Sequence, residues 1–281
     1  MRWAGGKSST SRRGGAFECE GQVTRSIRLG SSFLIVCTAR TGSNLLVRSL
    51  ARPPHVRCFG EVAKANFATE SNAFAPFERL TGRDGEDLAK LQAEDISGFV
   101  FDVLYTLPGD AVGFKLFYEH CREPGRVQLW DELASHKALK VIHLTRNATF
   151  DLYLSLLYAQ RTDKWLTRPD DPGALANDSE DIEVDVDHCR AFLQRHLDWR
   201  RETEARFGSH PYMEVDYGDL ETDLPAALSK VRQFIGAPNL KENLVPLRKQ
   251  AARRAYEKVR NYESVRAAFK GTSLARLFTE G

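Results

Sequence analysis

The sequence predicts an α/β fold built on a central, mostly parallel sheet with helices on both faces. Three observations carry this. Phe33–Cys37, Val112–Tyr118 and Lys140–Leu144 are short, nearly continuous apolar runs, the pattern of strands buried on both faces. Segments with helical spacing of apolar residues lie between and after them. Strands alternating with helices in this way form parallel sheets, because each crossover helix packs back onto the sheet.

In chain order, Phe33–Cys37 is the first strand, and Thr38–Asn44 is a tight loop leading to a helix marked by Leu45, Leu46 and Leu50. Val112–Tyr118 and Lys140–Leu144 are further strands, and Arg126–His136 and Thr149–Arg161 are helices. Asp187–Phe207 is a longer helix, with Phe192, Leu193, Leu197 and Trp199 as its apolar face and Gly208 placed as a C-cap. Tyr212–Val215 is a strand, and Leu224–Ile235 is a helix ended by Gly236 and Pro238.

A length of 281 residues fits one α/β domain over 31–281 preceded by a tail. Residues 1–30, rich in Gly, Ser and Arg, are expected to be a disordered basic tail. Apolar residues make up 42% and charged residues 28%, which places the chain among globular proteins. No apolar run approaches the roughly 20 residues of a transmembrane helix, and no secretory h-region follows the N-terminal basic residues. Five scattered cysteines without a C-x-x-C pair argue against a disulfide framework or zinc site. Reduced thiols, a cytoplasmic location and no metal are therefore expected.

The net charge of +2 conceals an asymmetry. Residues 241–281 carry ten basic and four acidic side chains, beside an acidic body. That distribution suggests an anionic ligand rather than a nucleic-acid coat, with a solvated helix face as the alternative. Residues 170–187 hold eight acidic residues and Pro172-Gly173, and are expected to form a mobile surface loop, with a lid as the alternative.

The strongest local signal is the strand–loop–helix at 33–46. Backbone amides at a helix N-terminus, with about half a positive charge from the dipole, attract an anion. Arg40 adds a fork of donors, and Thr41 and Ser43 add hydroxyls. A nucleoside-triphosphate loop would read G-x-x-x-x-G-K-[ST]. Here Gly42-Ser43-Asn44 stands where G-K-[ST] should be, and Cys37 stands at the first glycine. The loop suits a phosphate without a Mg²⁺-bridged β/γ pair; a plain strand–helix turn is the alternative.

These residues resemble the sulfotransferase family, whose members move a sulfuryl group from 3′-phosphoadenosine 5′-phosphosulfate (PAPS) to a hydroxyl or amine. Arg40-Thr41-Gly42-Ser43-Asn44-Leu45-Leu46 fits that family's R-[ST]-G-[ST]-x-L-L loop. The resemblance implies that residues 41–44 hold the 5′-phosphate. Val141–Arg146 followed by Ser155 resembles its 3′-phosphate site, and the spacing of nine between Arg146 and Ser155 is like the bacterial branch that includes nodulation-factor and trehalose sulfotransferases. Gly113-Phe-Lys115 and Val215-Asp-Tyr-Gly-Asp-Leu220 look like two further segments of that branch. Leu247-Arg-Lys249-Gln250 and Asn261-Tyr-Glu263 look like C-terminal elements that close over the nucleotide, which makes Lys249 and Gln250 candidate contacts and accounts for the basic segment 241–281. The implied fold is a P-loop-like three-layer α/β/α sandwich.

Sulfuryl transfer resembles phosphoryl transfer, with in-line attack and charge spread over equatorial oxygens. The acceptor needs a base and the leaving oxygen needs positive charge. Glu61, in Cys58-Phe-Gly-Glu-Val62, is similar to the bacterial branch's Glu facing the acceptor and is the first candidate base. Lys115 sits in an apolar strand, where an unpartnered ammonium is costly, so it is expected to face the leaving oxygen; snorkelling on an edge strand is the alternative. His120 is the alternative base, although it lies further past the lysine than the animal branch's catalytic His. His143 is expected to be a packed core histidine. Trp165 resembles a residue of a T-G-x-W segment and is expected either to line the acceptor pocket or to pack in the core.

The expected reaction is transfer from PAPS, with 3′,5′-bisphosphoadenosine (PAP) as product, to a hydroxyl of a carbohydrate, glycolipid or small natural product. An inactive nucleotide-binding module and, on a weaker match, a P-loop kinase are the competing readings. A homodimer through the apolar helices after the second phosphate motif is compatible with the sequence, as is a monomer.

Overall fold

The computed structural model describes residues 32–163, 165, 181–237, 257 and 259–278. The core is a five-stranded sheet of order β2-β3-β1-β4-β5, with every neighbouring pair parallel. β1 (Ser32–Cys37) is central and buried along its whole length, as its unbroken apolar run requires. β2 (Val56–Phe59) is an edge strand, β3 (Ala111–Phe117) and β4 (Lys140–Thr145) flank β1, and β5 (Tyr212–Asp216) closes the other edge.

The two faces of β1 carry two apolar layers. Phe33, Ile35 and Cys37 pack with α1 (Ser43–Leu50) and a helix late in the chain through Leu46, Leu50, Leu228, Val231 and Ile235. Leu34 and Val36 pack with Phe114 and Leu116 against a second helical layer. That layer holds α2 (Ala75–Thr81), α3 (Gly85–Glu94) and α4 (Ile96–Gly98), which runs on through a π turn at Phe99–Val103. α5 (Val127–Ser135) completes it through Leu129, Trp130 and Leu133.

A third apolar cluster joins α6 (Thr149–Thr162) and α7 (Val186–Phe207) to the C-terminal part of the chain through Phe150, Tyr153, Phe192, Val265 and Phe269. α8 (Tyr217–Thr222) follows β5 directly, α9 (Leu224–Ile235) covers the α1 face, and α10 (Tyr262–Phe269) lies in the third cluster. The three-layer arrangement expected from the sequence is therefore present. No described helix is long and apolar enough to cross a membrane.

Gly113 is required by the sheet itself. A Cβ there would come 2.3 Å from the carbonyl oxygen of Phe33 and 2.5 Å from its ring, so β1 and β3 approach this closely only over a glycine.

The sequence left residues 51–111 without elements. β2 escapes detection because it has only four residues with alternate burial, and the helices that follow are short pieces. Of the acidic segment 170–187, residues 170–180 lie outside the described residues, as do the tail 1–30 and the segment 241–256. Residues 181–187 are tied down: Ile182 bridges Val259 and accepts from the Arg260 amide at 2.9 Å. Asn261 accepts from the Val184 amide at 3.0 Å and donates to the Val184 carbonyl at 2.8 Å. Cys37, Cys58, Cys121 and Cys189 are free buried thiols, pushed up from the ordinary value chiefly by burial.

The fold also buries histidines. His143 is fully buried between the hydroxyls of Tyr118 (2.6 Å) and Tyr212, the core role expected of it. His196 stacks on Phe192, and neither of its ring nitrogens has a hydrogen-bond partner among the described residues. Burial holds His143 down to about 3 and His196 to about 4, from 6.5. The unfolded chain therefore takes up more protons below pH 6.5, and stability must fall as pH drops from 6.5 towards about 4. Urea midpoints measured at pH 7 and pH 5 should show that loss, and His196→Phe should reduce it; an unchanged pH dependence in the variant would refute the assignment.

Candidate functional site

Ligands of open α/β sheets bind beyond the carboxyl ends of the strands. Here β1, β3 and β4 end together, and each delivers a basic side chain or loop to the same place.

β1 hands over to the loop 38–42, in which Arg40 (φ 68°) and Gly42 (φ 76°) both take the left-handed conformation. This folds the loop tightly enough for α1 to start at Ser43 with Gly42 as its N-cap. The first-turn amides of α1 have no intrahelical acceptors, and no acidic residue occupies that turn. Thr41 is fully buried with its hydroxyl donating to the Thr38 carbonyl at 2.8 Å, and Ser43 is buried as well. The contribution of this loop to an anion site is therefore largely its backbone amides.

β4 ends at Thr145 and is followed by Arg146; α6 then carries Ser155. The two phosphate motifs meet in space. Arg40 Nε donates to Ser155 Oγ at 3.0 Å, and Arg146 Nη1 donates to the Arg40 carbonyl at 3.2 Å. Burial, and next the charge of Arg146, push the Arg40 guanidinium below its ordinary value. Two half-buried guanidiniums side by side suit an anionic ligand. Arg40 Nη1 also donates to the carbonyl of Trp165 at 2.7 Å, and that tryptophan is 43% exposed rather than packed in the core.

β3 supplies Lys115. It is in register with Ile35 and so shares the face covered by α1. Its side chain is only 1% exposed, and its ammonium is fully engaged: 2.9 Å from Glu61 Oε1, 2.8 Å from Asn44 Oδ1, 3.4 Å from Ser43 Oγ, and 4.7 Å from the centroid of the Phe117 ring. Snorkelling is thus excluded. Glu61, on the turn after β2, keeps a quarter of its side chain exposed, so it faces both the lysine and the solvent-open side of the site.

His120 lies behind Glu61, with Nε2 3.7 Å from Glu61 Oε2. Its Nδ1 accepts from the Phe117 amide at 3.3 Å, and burial holds it down to about 4. A neutral imidazole has one acceptor nitrogen, and here the backbone uses it, which leaves Nε2–H directed towards Glu61. Lys249 and Gln250 lie outside the described residues.

Two residues carry parts of the site that the sequence did not assign. The ring of Tyr217 lies 4.7 Å from the Arg146 guanidinium, and on the same ring a Cβ added at Gly42 would touch Cδ2 at 2.6 Å. Asp216 accepts from the Asn147 amide at 2.7 Å and caps α8 through the Gly218 amide at 2.8 Å. The Asp216-Tyr217 pair therefore clips both phosphate motifs together. The signal was available in Val215-Asp-Tyr, but no spacing rule says which ring meets which loop. His143, Glu204 and Glu214 lie close enough to share a metal ion, yet both nitrogens of His143 already bond tyrosine hydroxyls.

A family model described as the sulfotransferase family matches residues 32–242. The chain is 28% identical over 249 residues to nodulation protein H of Rhizobium tropici, covering 88% of this chain and 92% of that one. It is 26% identical over 259 residues to nodulation protein H of Rhizobium meliloti (strain 1021), covering 91% and 98%. Among solved structures it is similar to a sulfotransferase from Alicyclobacillus acidocaldarius, at 18% identity with 88% and 94% coverage and a TM-score of 0.47.

The Gly42–Tyr217 contact is testable against Gly82, which has φ +70° but nothing within 4 Å of an added Cβ. Gly82→Ala should cost only the backbone strain, about 1 kcal/mol in urea unfolding. Gly42→Ala should cost distinctly more, because the methyl also displaces the ring; equal losses would show that the contact contributes nothing.

Proposed function

The chain belongs to the sulfotransferase family, and we propose that it transfers a sulfuryl group from PAPS to a hydroxyl of a carbohydrate, glycolipid or small natural product. The observation that supports this best is the convergence of Arg40, Ser155 and Arg146 beside the Lys115–Glu61 pair. One cluster suits the phosphates of a 3′,5′-bisphosphorylated nucleotide, and the other suits the transfer itself.

In this reading the α1 amides and Arg40 hold the 5′-phosphate, and Arg146 and Ser155 hold the 3′-phosphate. The acceptor oxygen attacks sulfur in line. Its O–S bond forms as the bond from sulfur to the 5′-phosphate oxygen breaks, and the electron pair leaves on that phosphate. Lys115 stabilises the charge arriving there, and Glu61 takes the acceptor's proton. The reaction is balanced as PAPS plus alcohol giving PAP, sulfate ester and a proton. Glu61 rather than His120 is the base, because the acceptor nitrogen of His120 is taken by the Phe117 amide. The acceptor class rests on the resemblance to the bacterial branch. A kinase reading fits less well: the lysine near this loop comes from β3, not from the loop.

Calorimetric titration with PAP in metal-free buffer should show micromolar binding, weakened by about 2–4 kcal/mol in Arg146→Ala, the cost of removing a charged partner. Absence of PAP binding by folded protein would refute the proposal.

PAP release from PAPS, assayed with trehalose, chitotetraose and a simple phenol as acceptors, tests the chemistry. Glu61→Gln should lower turnover on the order of 10²–10⁴-fold with PAP affinity retained, and His120→Asn should have a far smaller effect. The reverse ranking would make His120 the base. PAP binding without turnover on any acceptor or water would favour a binding module.

A further inference from the structure

The position of Glu61 is set by a short irregular segment, not by a helix or strand. After β2 the chain turns through 60–64, with the Val62 amide bonded to the Gly60 carbonyl at 3.0 Å and the Lys64 amide to the Glu61 carbonyl at 2.9 Å. The Lys115 amide holds the start of this turn at the Gly60 carbonyl, at 3.2 Å. The rest of it sinks into apolar surroundings, with Val62, Ala63, Phe67 and Leu88 all buried in one cluster. Carbonyls turned into such a layer need donors.

Gln92 supplies them. It lies on α3 with no exposed surface. Its Nε2 donates to the Val62 carbonyl at 2.9 Å and to the Lys64 carbonyl at 3.1 Å, holding the half of the turn that follows Glu61. Its own Oε1 is buried without a hydrogen-bond partner among the described residues. An apolar residue would fill this place without leaving a buried oxygen unpaired, so the amide is present for the two carbonyls. Arg126, itself 5% exposed, donates to the Gln92 carbonyl at 3.4 Å.

We propose that Gln92 is a positioning residue for the transfer reaction: through the carbonyls of Val62 and Lys64 it fixes the turn that aims the Glu61 carboxylate at Lys115 and the acceptor. This rests on the reading of Glu61 as base. Misplacing a reacting group by about 1 Å can cost on the order of 10²-fold in rate, so the two side-chain donors that anchor this turn to α3 bear on the rate. Gln92 touches neither the phosphate motifs nor the nucleotide side of Lys115, so donor binding is independent of it.

The test is a double-mutant cycle on the full chain. Turnover is read as PAP release from PAPS, with the best of the named acceptors or with water. Gln92→Met keeps length and burial but removes both donors. It should lower turnover at least tenfold while PAP affinity stays within twofold, and in a Glu61→Gln background it should lower turnover less than twofold further. A merely structural role would give the same loss in both backgrounds, and that result, or wild-type turnover in Gln92→Met, overturns the proposal. Wild-type turnover in Glu61→Gln alone would instead remove the base reading, and this inference with it. If Gln92→Met does not bind PAP because it fails to fold, Gln92→Asn, which retains the amide on a shorter stem, carries the same comparison and should fall between the two.

Discussion

An ammonium buried in the middle of a parallel sheet is the constraint on which the site depends. Lys115 cannot reach water, and an unpaired charge at that depth would be paid for by the whole fold. Its partners are therefore obligatory, and they come from two other places in the chain: Asn44 and Ser43 at the start of α1, and Glu61 on the turn after β2. A single charge thus sets the distance between the anion-binding loop and the candidate base. The parallel register of β1 and β3 makes this possible, because it places Lys115 level with Ile35 and on the side where α1 begins.

The anion site shows the complementary arrangement. Arg40 and Arg146 lie beside each other; one donates to Ser155, and the other lies on the ring of Tyr217. The aromatic face partly satisfies a guanidinium without neutralising it, which keeps the positive charge available. The same ring closes against Gly42, so the left-handed glycine of the loop is needed for its conformation and for the space it leaves. Two neighbouring guanidiniums at one end of the site and a lysine–glutamate pair at the other suit the two tasks of holding phosphates and transferring a group with its proton.

Much of this was legible in the chain. The strands around Phe33–Cys37, Val112–Tyr118 and Lys140–Leu144 were readable because burial on both faces leaves nearly unbroken apolar runs, and α6, α7 and α9 because long helices repeat their apolar face several times. The region 51–111 was not, since β2 and the short helices after it offer too few periods to stand out. Lys115 stood out as a lone charge in an apolar strand. His120 could not be judged from spacing, because what limits it is a hydrogen bond from the Phe117 amide.

The sequence by itself determined the strand–loop–helix with Arg40 and Gly42, the strand ending before Arg146, the crossover pattern that makes the sheet parallel, and the need for Lys115 to find a partner. These follow from local properties: periodicity, backbone freedom and the cost of burying charge. Only the tertiary structure decided which partners meet. The Arg40–Ser155 bond spans 115 residues, the Lys115–Asn44 bond 71 and the Gln92–Val62 bond 30. No local rule encodes such distances, because they are set by how strands of a twisted sheet align and how helices pack upon it.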